Sequence, residues 1–144
     1  MHNLLLADDD DDDCLFFQEA LEELPIQYNL TTVNDGVALM NLLKGSSTQL
    51  PAALFLDLNM PKKSGSECLS EIKLIDRLKN IPIIIFSTSF DTNVVDDLYA
   101  NGATYYIKKP GEFSTLIKVI DQAINLVSVA HFLKPKRTDF IIYP

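Results

Sequence analysis

No apolar run in this 144-residue chain approaches the roughly 18–20 residues of a membrane span. The opening segment Met1-His2-Asn3-Leu4-Leu5-Leu6-Ala7 lacks the basic lead of a signal peptide and runs straight into aspartates. Basic charge is scarce, with 12 Lys and Arg against 20 Asp and Glu and a net charge of −8. A chain without a basic stripe is poorly made for holding nucleic acid phosphates, so neither nucleic acid nor membrane is expected as a partner. Cysteine is limited to Cys14 and Cys68, both inside helical patterns and without metal-ligand spacing. They read as small buried or half-buried thiols of a reducing, cytoplasmic setting. Internal repeats and low-complexity linkers are missing as well.

What is present suffices for one core, since 47% of the residues are hydrophobic and the length is that of one ordinary domain. The acidity is concentrated. Asp8–Asp13 hold six acids in a row, and the rest of the chain carries 14 acids against 12 bases. Short apolar runs alternate with amphipathic stretches five times. Strands are expected at Leu4–Ala7, Gln27–Val33, Ala52–Leu56, Ile81–Phe86 and Thr104–Ile107. Helices are expected from Cys14 to Leu24, over Asp35–Lys44 with Gly45-Ser46-Ser47 as the stop, near Ser66–Leu78, over Asp91–Ala100 and over Glu112–Val129. Ile81–Phe86 is apolar on both faces, as a parallel strand covered on both sides should be. Five βα units imply an α/β fold, a parallel sheet with right-handed crossovers and helices on both faces. Beyond the last helix, Lys134-Pro135-Lys136-Arg137 is basic and Phe140-Ile141-Ile142-Tyr143 apolar. Residues 131–144 are read as a tail docked on its own domain or on a partner.

In such a sheet, ligands bind beyond the carboxyl ends of the strands. The residues that follow the apolar runs are Asp8 and Asp9, Asp57, Ser87 and Lys109. Three carboxylates at one end of a sheet repel one another unless a cation joins them. Oxygen donors with open positions suit Mg²⁺. Asp57 is held by a rigid strand, and a carboxylate so placed can attack a phosphoryl group and become an acyl phosphate. Lys109 would add positive charge, the Ser87 hydroxyl could donate to a phosphoryl oxygen, and the Asn59 carbonyl could complete the metal shell. Within the acidic run, Asp10 or Asp11 is assigned to helix capping, and Asp12 and Asp13 to the solvated first turn. A Ca²⁺ loop does not fit, since alternating acids and a turn glycine are lacking. His2 and His131 read as incidental.

Taken together, Leu4-Leu5-Leu6-Ala7-Asp8-Asp9, Leu54-Phe55-Leu56-Asp57-Leu58-Asn59-Met60-Pro61 with Gly65, Ser87 and Lys109-Pro110 resemble the receiver domain of bacterial two-component response regulators, CheY-like proteins. The resemblance spans residues 3 to about 128, and a receiver domain at 1–130 with a tail at 131–144 is the expected division. It implies the flavodoxin-like doubly wound (βα)5 fold with sheet order 2-1-3-4-5. It further implies a signalling switch rather than an enzyme, taking a phosphoryl group with Mg²⁺ from a sensor histidine kinase or a histidine phosphotransfer protein. By the same resemblance Asp57 is the phosphoacceptor, Asp8, Asp9, Asp57 and Asn59 serve the metal with Asp9 the more direct ligand, and Lys109 contacts phosphate. Ser87 and Tyr106 are then the switch pair, with Tyr105 on the opposite strand face. A cis peptide is implied at Lys109–Pro110. Output would be contact with a downstream protein target through the fourth helix, fifth strand and fifth helix, with a homodimer as one form of it. Lys108, Gly111 and Ser87-Thr88-Ser89 depart from the usual pattern.

Three rival readings fit the sequence less well. A dehalogenase-type phosphatase needs a second Asp where Asn59 stands, and usually a cap domain. A flavodoxin needs a Ser-, Thr- and Gly-rich phosphate loop where six aspartates stand. A receiver that takes no phosphate is disfavoured by the intact acidic site.

Overall fold

In the computed structural model, which describes residues 2–45, 49–130 and 134–144, strands and helices alternate strictly. They are β1 (His2–Ala7), α1 (Asp11–Glu22), β2 (Tyr28–Val33), α2 (Gly36–Lys44), β3 (Ala53–Leu56), α3 (Gly65–Leu74), β4 (Ile83–Ser87), α4 (Thr92–Ala100), β5 (Tyr105–Lys108) and α5 (Phe113–Ala130). A single turn of 3₁₀ helix, Arg137–Asp139, follows. Ser46, Ser47 and His131, which figured in the sequence reading, lie outside the described residues, as does the His2 side chain.

The strands form one parallel sheet in the order β2-β1-β3-β4-β5. β3 and β4 are buried along their whole length. Their side chains alternate between two cores, so Leu54, Leu56, Ile83 and Ile85 pack toward α2, α3 and α4, while Phe55, Ile84 and Phe86 pack toward α1 and α5. In the second core Phe17, Phe55 and Phe86 meet edge to face, with centroids 4.9–6.4 Å apart. Among the described residues no helix is long and apolar enough to cross a membrane.

Boundaries differ from the sequence reading in instructive ways. Pro82 has no N–H to give a ladder, so β4 begins at Ile83, although the Pro82 carbonyl still accepts from Leu54 N. α3 stops at Leu74 because Ile75 turns extended (φ −102°, ψ 116°), and the turn that follows returns Leu78 and Ile81 to the core. No cis peptide occurs among the described residues, so the Lys109–Pro110 bond is trans, contrary to what the resemblance implied.

The segment after α5 runs beside β5. Ile141 bridges Tyr106 in parallel, Tyr106 N–H donates to the Phe140 carbonyl at 3.0 Å, and Ile142 N–H donates to the Tyr106 carbonyl at 2.9 Å. Strand alternation then sends Phe140 into one core and Ile142 into the other. Tyr99 Oη donates to the Pro135 carbonyl at 2.7 Å, and Arg137 pairs with Asp96 of α4 at 2.7 Å. The outer edge of β5 is thereby covered.

Both cysteines are buried, and burial pushes each thiol up to about 11. At pH 8 the thiolate fraction falls by roughly 100-fold from that of an unperturbed thiol. Titration of the folded chain with an aromatic disulfide at pH 8 should therefore be slow until denaturant is added; rapid reaction of either thiol would contradict this burial.

Candidate functional site

The carboxyl ends of β1, β3, β4 and β5 converge on one cluster. Asp8 follows β1 and is fully buried. Its N–H donates to the Val33 carbonyl, and its Oδ1 accepts from Asp10 N–H at 3.0 Å. Asp9 is exposed beside it. Asp57 follows β3, its N–H held by the Ala7 carbonyl at 2.9 Å and its Oδ1 accepting from Leu58 N–H at 2.8 Å. Carboxylate oxygens of Asp8, Asp9 and Asp57 lie within 4.8 Å of one another. Asn59 is exposed two residues beyond Asp57.

The backbone around Asp57 is fixed from the far side by α3. Ser64 and Glu67 form a reciprocal capping box at its start, and Gly65 N–H donates to the Leu58 carbonyl at 2.9 Å. A Cβ at Gly65 would sit 2.1 Å from the Asp57 carbonyl oxygen, so only glycine lets the helix approach this closely. In the sequence, Gly65 stands out only as a member of the motif that begins at Leu54, which gives no sign of this close approach.

Lys109, just beyond β5, is the cation of the cluster. Its side chain is only 9% exposed, and Nζ lies 2.7 Å from Asp8 Oδ2, 2.9 Å from Asp13 Oδ2 and 3.4 Å from Asp57 Oδ2. It also sits 5.6 Å from the centre of the Phe86 ring. The Asp13 contact corrects the sequence reading. Asp10 is the N-cap of α1, accepting from Asp12 and Asp13 N–H, and the turn that this cap fixes aims Asp13 at Lys109 rather than at solvent alone. An i, i+4 pattern cannot reveal a partner 96 residues away.

Burial raises the Asp8 carboxyl to about 6, against the opposing pull of Lys109 and with the Asp57 charge adding to the rise. Burial alone would lower the Lys109 ammonium, but its bonds to Asp8 and Asp13 and the charge of Asp57 hold it above its ordinary value. Asp8 Oδ2 is buried without a well-directed hydrogen bond, despite the nearby Nζ. A hard divalent cation fits this donor set, because it takes oxygen ligands and offsets excess anionic charge.

Ser87 is fully buried at the end of β4, its Oγ accepting from Ser89 N–H at 3.2 Å and its carbonyl from Lys109 N–H at 2.8 Å. Tyr106 is fully buried, with its hydroxyl donating to the Ser89 carbonyl and its ring edge-on to Phe90. Tyr105 points into the opposite core. The structure thus gathers Asp8, Asp9, Asp57, Lys109 and the unforeseen Asp13 in direct proximity, with Ser87 and Tyr106 on the adjoining strands.

A parallel 2-1-3-4-5 sheet with an acidic pair, a strand-end aspartate and a lysine at its carboxyl edge defines the receiver class, and residues 4–121 match the family model of the response regulator receiver domain. The chain belongs to that family, a family of signalling switches. Among curated relatives it is 34% identical over 107 residues to response regulator Rcp1 of Synechocystis sp., covering 72% of this chain and 73% of that protein. It is 30% identical over 122 residues to a probable methanogenesis regulatory protein, FilR2, of Methanothrix harundinacea, covering 83% and 79%. Among solved structures, the phosphorylated cyanobacterial phytochrome response regulator RcpA superposes with a TM-score of 0.80 at 32% identity over 94% of this chain and 99% of that one. The Mn²⁺-bound form of Rcp1 gives 0.77 at 30% identity over 94% and 100%.

Proposed function

We propose that this protein is a phosphoacceptor switch that receives a phosphoryl group on Asp57 from a sensor histidine kinase or a histidine phosphotransfer protein. The observation that carries the reading is the state of the Asp57 carboxylate. It ends a fully buried strand, one oxygen is tied to Leu58 N–H, and the other faces Lys109 across 3.4 Å. Such a group is oriented and only partly neutralised, as a nucleophile must be. Its oxygen bonds to phosphorus as the donor's phosphorus–nitrogen bond breaks. The electron pair leaves on the imidazole nitrogen, which takes up a proton. Lys109 contributes positive charge beside the transferred oxygens.

Asp8, Asp9 and Asp57 are the residues that would hold Mg²⁺, with the Asn59 carbonyl as a further ligand. Bound there, the ion would offset charge on the phosphoryl oxygens. A Mn²⁺-bound relative and a phosphorylated one support this reading of the donor set. Ser87 and Tyr106 are read as the switch. The Ser87 hydroxyl turns toward a phosphoryl oxygen, gives up the Ser89 N–H, and so loosens the loop whose carbonyl holds the Tyr106 hydroxyl. The surface affected is that of α4 and β5, through which a downstream protein or a second copy would bind.

The test is chemical. Acetyl phosphate with Mg²⁺ should add one phosphoryl mass per chain, stripped by hydroxylamine as an acyl phosphate is, and a chelator should block the addition. A chain that stays unmodified over hours, or a label resistant to hydroxylamine, sinks the proposal.

A further inference from the structure

Lys109 has three N–H donors and three carboxylates around it. Asp8 and Asp57 are buried and stand among the metal-binding candidates, so their charges are offset when a divalent cation binds. Asp13 is different. It belongs to α1, its side chain is 40% exposed, and it is not one of the clustered carboxylates that face one another. Yet Nζ lies closer to Asp13 (2.9 Å) than to Asp57 (3.4 Å). The ammonium therefore leans toward α1, away from the carboxylate whose phosphorylation it would assist.

Resting on the reading of Asp57 as phosphoacceptor, we propose that Asp13 is a positioning residue that restrains Lys109 and thereby slows phosphoryl acceptance. The restraint is electrostatic and local. An N⁺–H···O⁻ bond to Asp13 occupies one of three donors, and the Asp13 charge offsets part of the ammonium that faces Asp57. Asn at this position removes the charge while keeping the helix-turn geometry, since the Asp10 cap is made to the backbone N–H of residue 13 and not to its side chain. Freed from Asp13, Lys109 closes on Asp57.

A simpler view is that Asp13 merely repels an anionic donor. Lys109 separates the two. Initial rates of labelling by acetyl phosphate with saturating Mg²⁺ should be followed by intact mass in the parent, Asp13→Asn, Asp13→Glu, Lys109→Met and the double variant Asp13→Asn/Lys109→Met, with folding checked by circular dichroism. Asp13→Asn should label about fivefold faster, the upper range for a half-exposed ion pair, and Asp13→Glu should stay within about twofold of the parent. The gain should vanish when Lys109 is Met. An unchanged or slower rate in Asp13→Asn overturns the assignment, as does a gain that persists without Lys109, which would be plain repulsion. Asp57→Asn serves as the control. If it labels like the parent, the phosphoacceptor reading itself has failed; if it is unlabelled and Asp13→Asn matches the parent, only the role of Asp13 falls.

Discussion

Replacing Asp57 with Asn should take labelling by acetyl phosphate from one group per chain to none, while making the metal-free protein more stable. The first effect follows from chemistry, because an amide oxygen is too weak a nucleophile to displace a phosphoryl leaving group. The second follows from charge. Asp57 adds to the rise of the Asp8 carboxyl to about 6, which is the sign of repulsion inside the cluster. Asn retains an oxygen to accept from Leu58 N–H and fills the same volume. What is lost is the Lys109 contact at 3.4 Å, the longest of the three, and Lys109 keeps Asp8 and Asp13. Relief of repulsion outweighs that loss. A gain of about 1 kcal/mol, or about 3 °C in Tm for a chain of this size, is expected without metal. Mg²⁺ should raise the Tm of the parent by more than that of the variant, since the ion is stabilised by the charge the variant lacks. Thermal melts with Mg²⁺ or chelator decide it, and a variant that melts below the parent in chelator would show that the Lys109 contact dominates.

The parts of this molecule written in local periodicity were legible. Five apolar runs and five amphipathic stretches stand where the strands and helices are, because burial on both faces of β3 and β4 demands continuous apolar side chains. The family match covers residues 4–121, and it sets aside the flavodoxin and dehalogenase-type readings. Helix ends were less legible. The stop of α3 at Leu74 depends on where Leu78 and Ile81 must reach the core, which is a tertiary demand. A cis form of the Lys109–Pro110 bond was implied by resemblance alone, and the bond is trans. At the site, Asp8, Asp9, Asp57 and Lys109 were visible as residues that end strands. Asp13 was not, because nothing in a run of six aspartates marks which one faces inward. Only the turn set by the Asp10 cap does so.

Phe140→Ala should destabilise the chain chiefly by releasing the tail from β5. Phe140 is fully buried, edge-on to Tyr99 at 5.1 Å and to Tyr106 at 6.3 Å. In a closed core such a truncation costs about 3–5 kcal/mol. Here the cost has a ceiling, because the tail can leave once its anchor is gone, and the penalty then equals the free energy of docking. About 2 kcal/mol is expected in a denaturation midpoint, accompanied by tail release. Release has its own signatures. The Tyr106 and Ile142 amides, bonded only across the tail junction, should exchange at least tenfold faster, a loss of protection worth about 1.4 kcal/mol. Trypsin should cut earlier at Lys136 and Arg137, where the pairing of Arg137 with Asp96 now holds the chain. An unpaired β5 edge also invites association, so light scattering belongs in the same experiment. If midpoint, exchange and cleavage all match the parent, then the hydrogen bonds on either side of Tyr106 hold the tail without its aromatic anchor. The surface offered to partners would in that case include the tail in every state of the switch. If release occurs, Tyr106 loses its tail backbone partners and the Phe140 side of its ring packing, keeping Phe90 and the Ser89 carbonyl, so the side chain read as the switch is coupled to the docking of the tail.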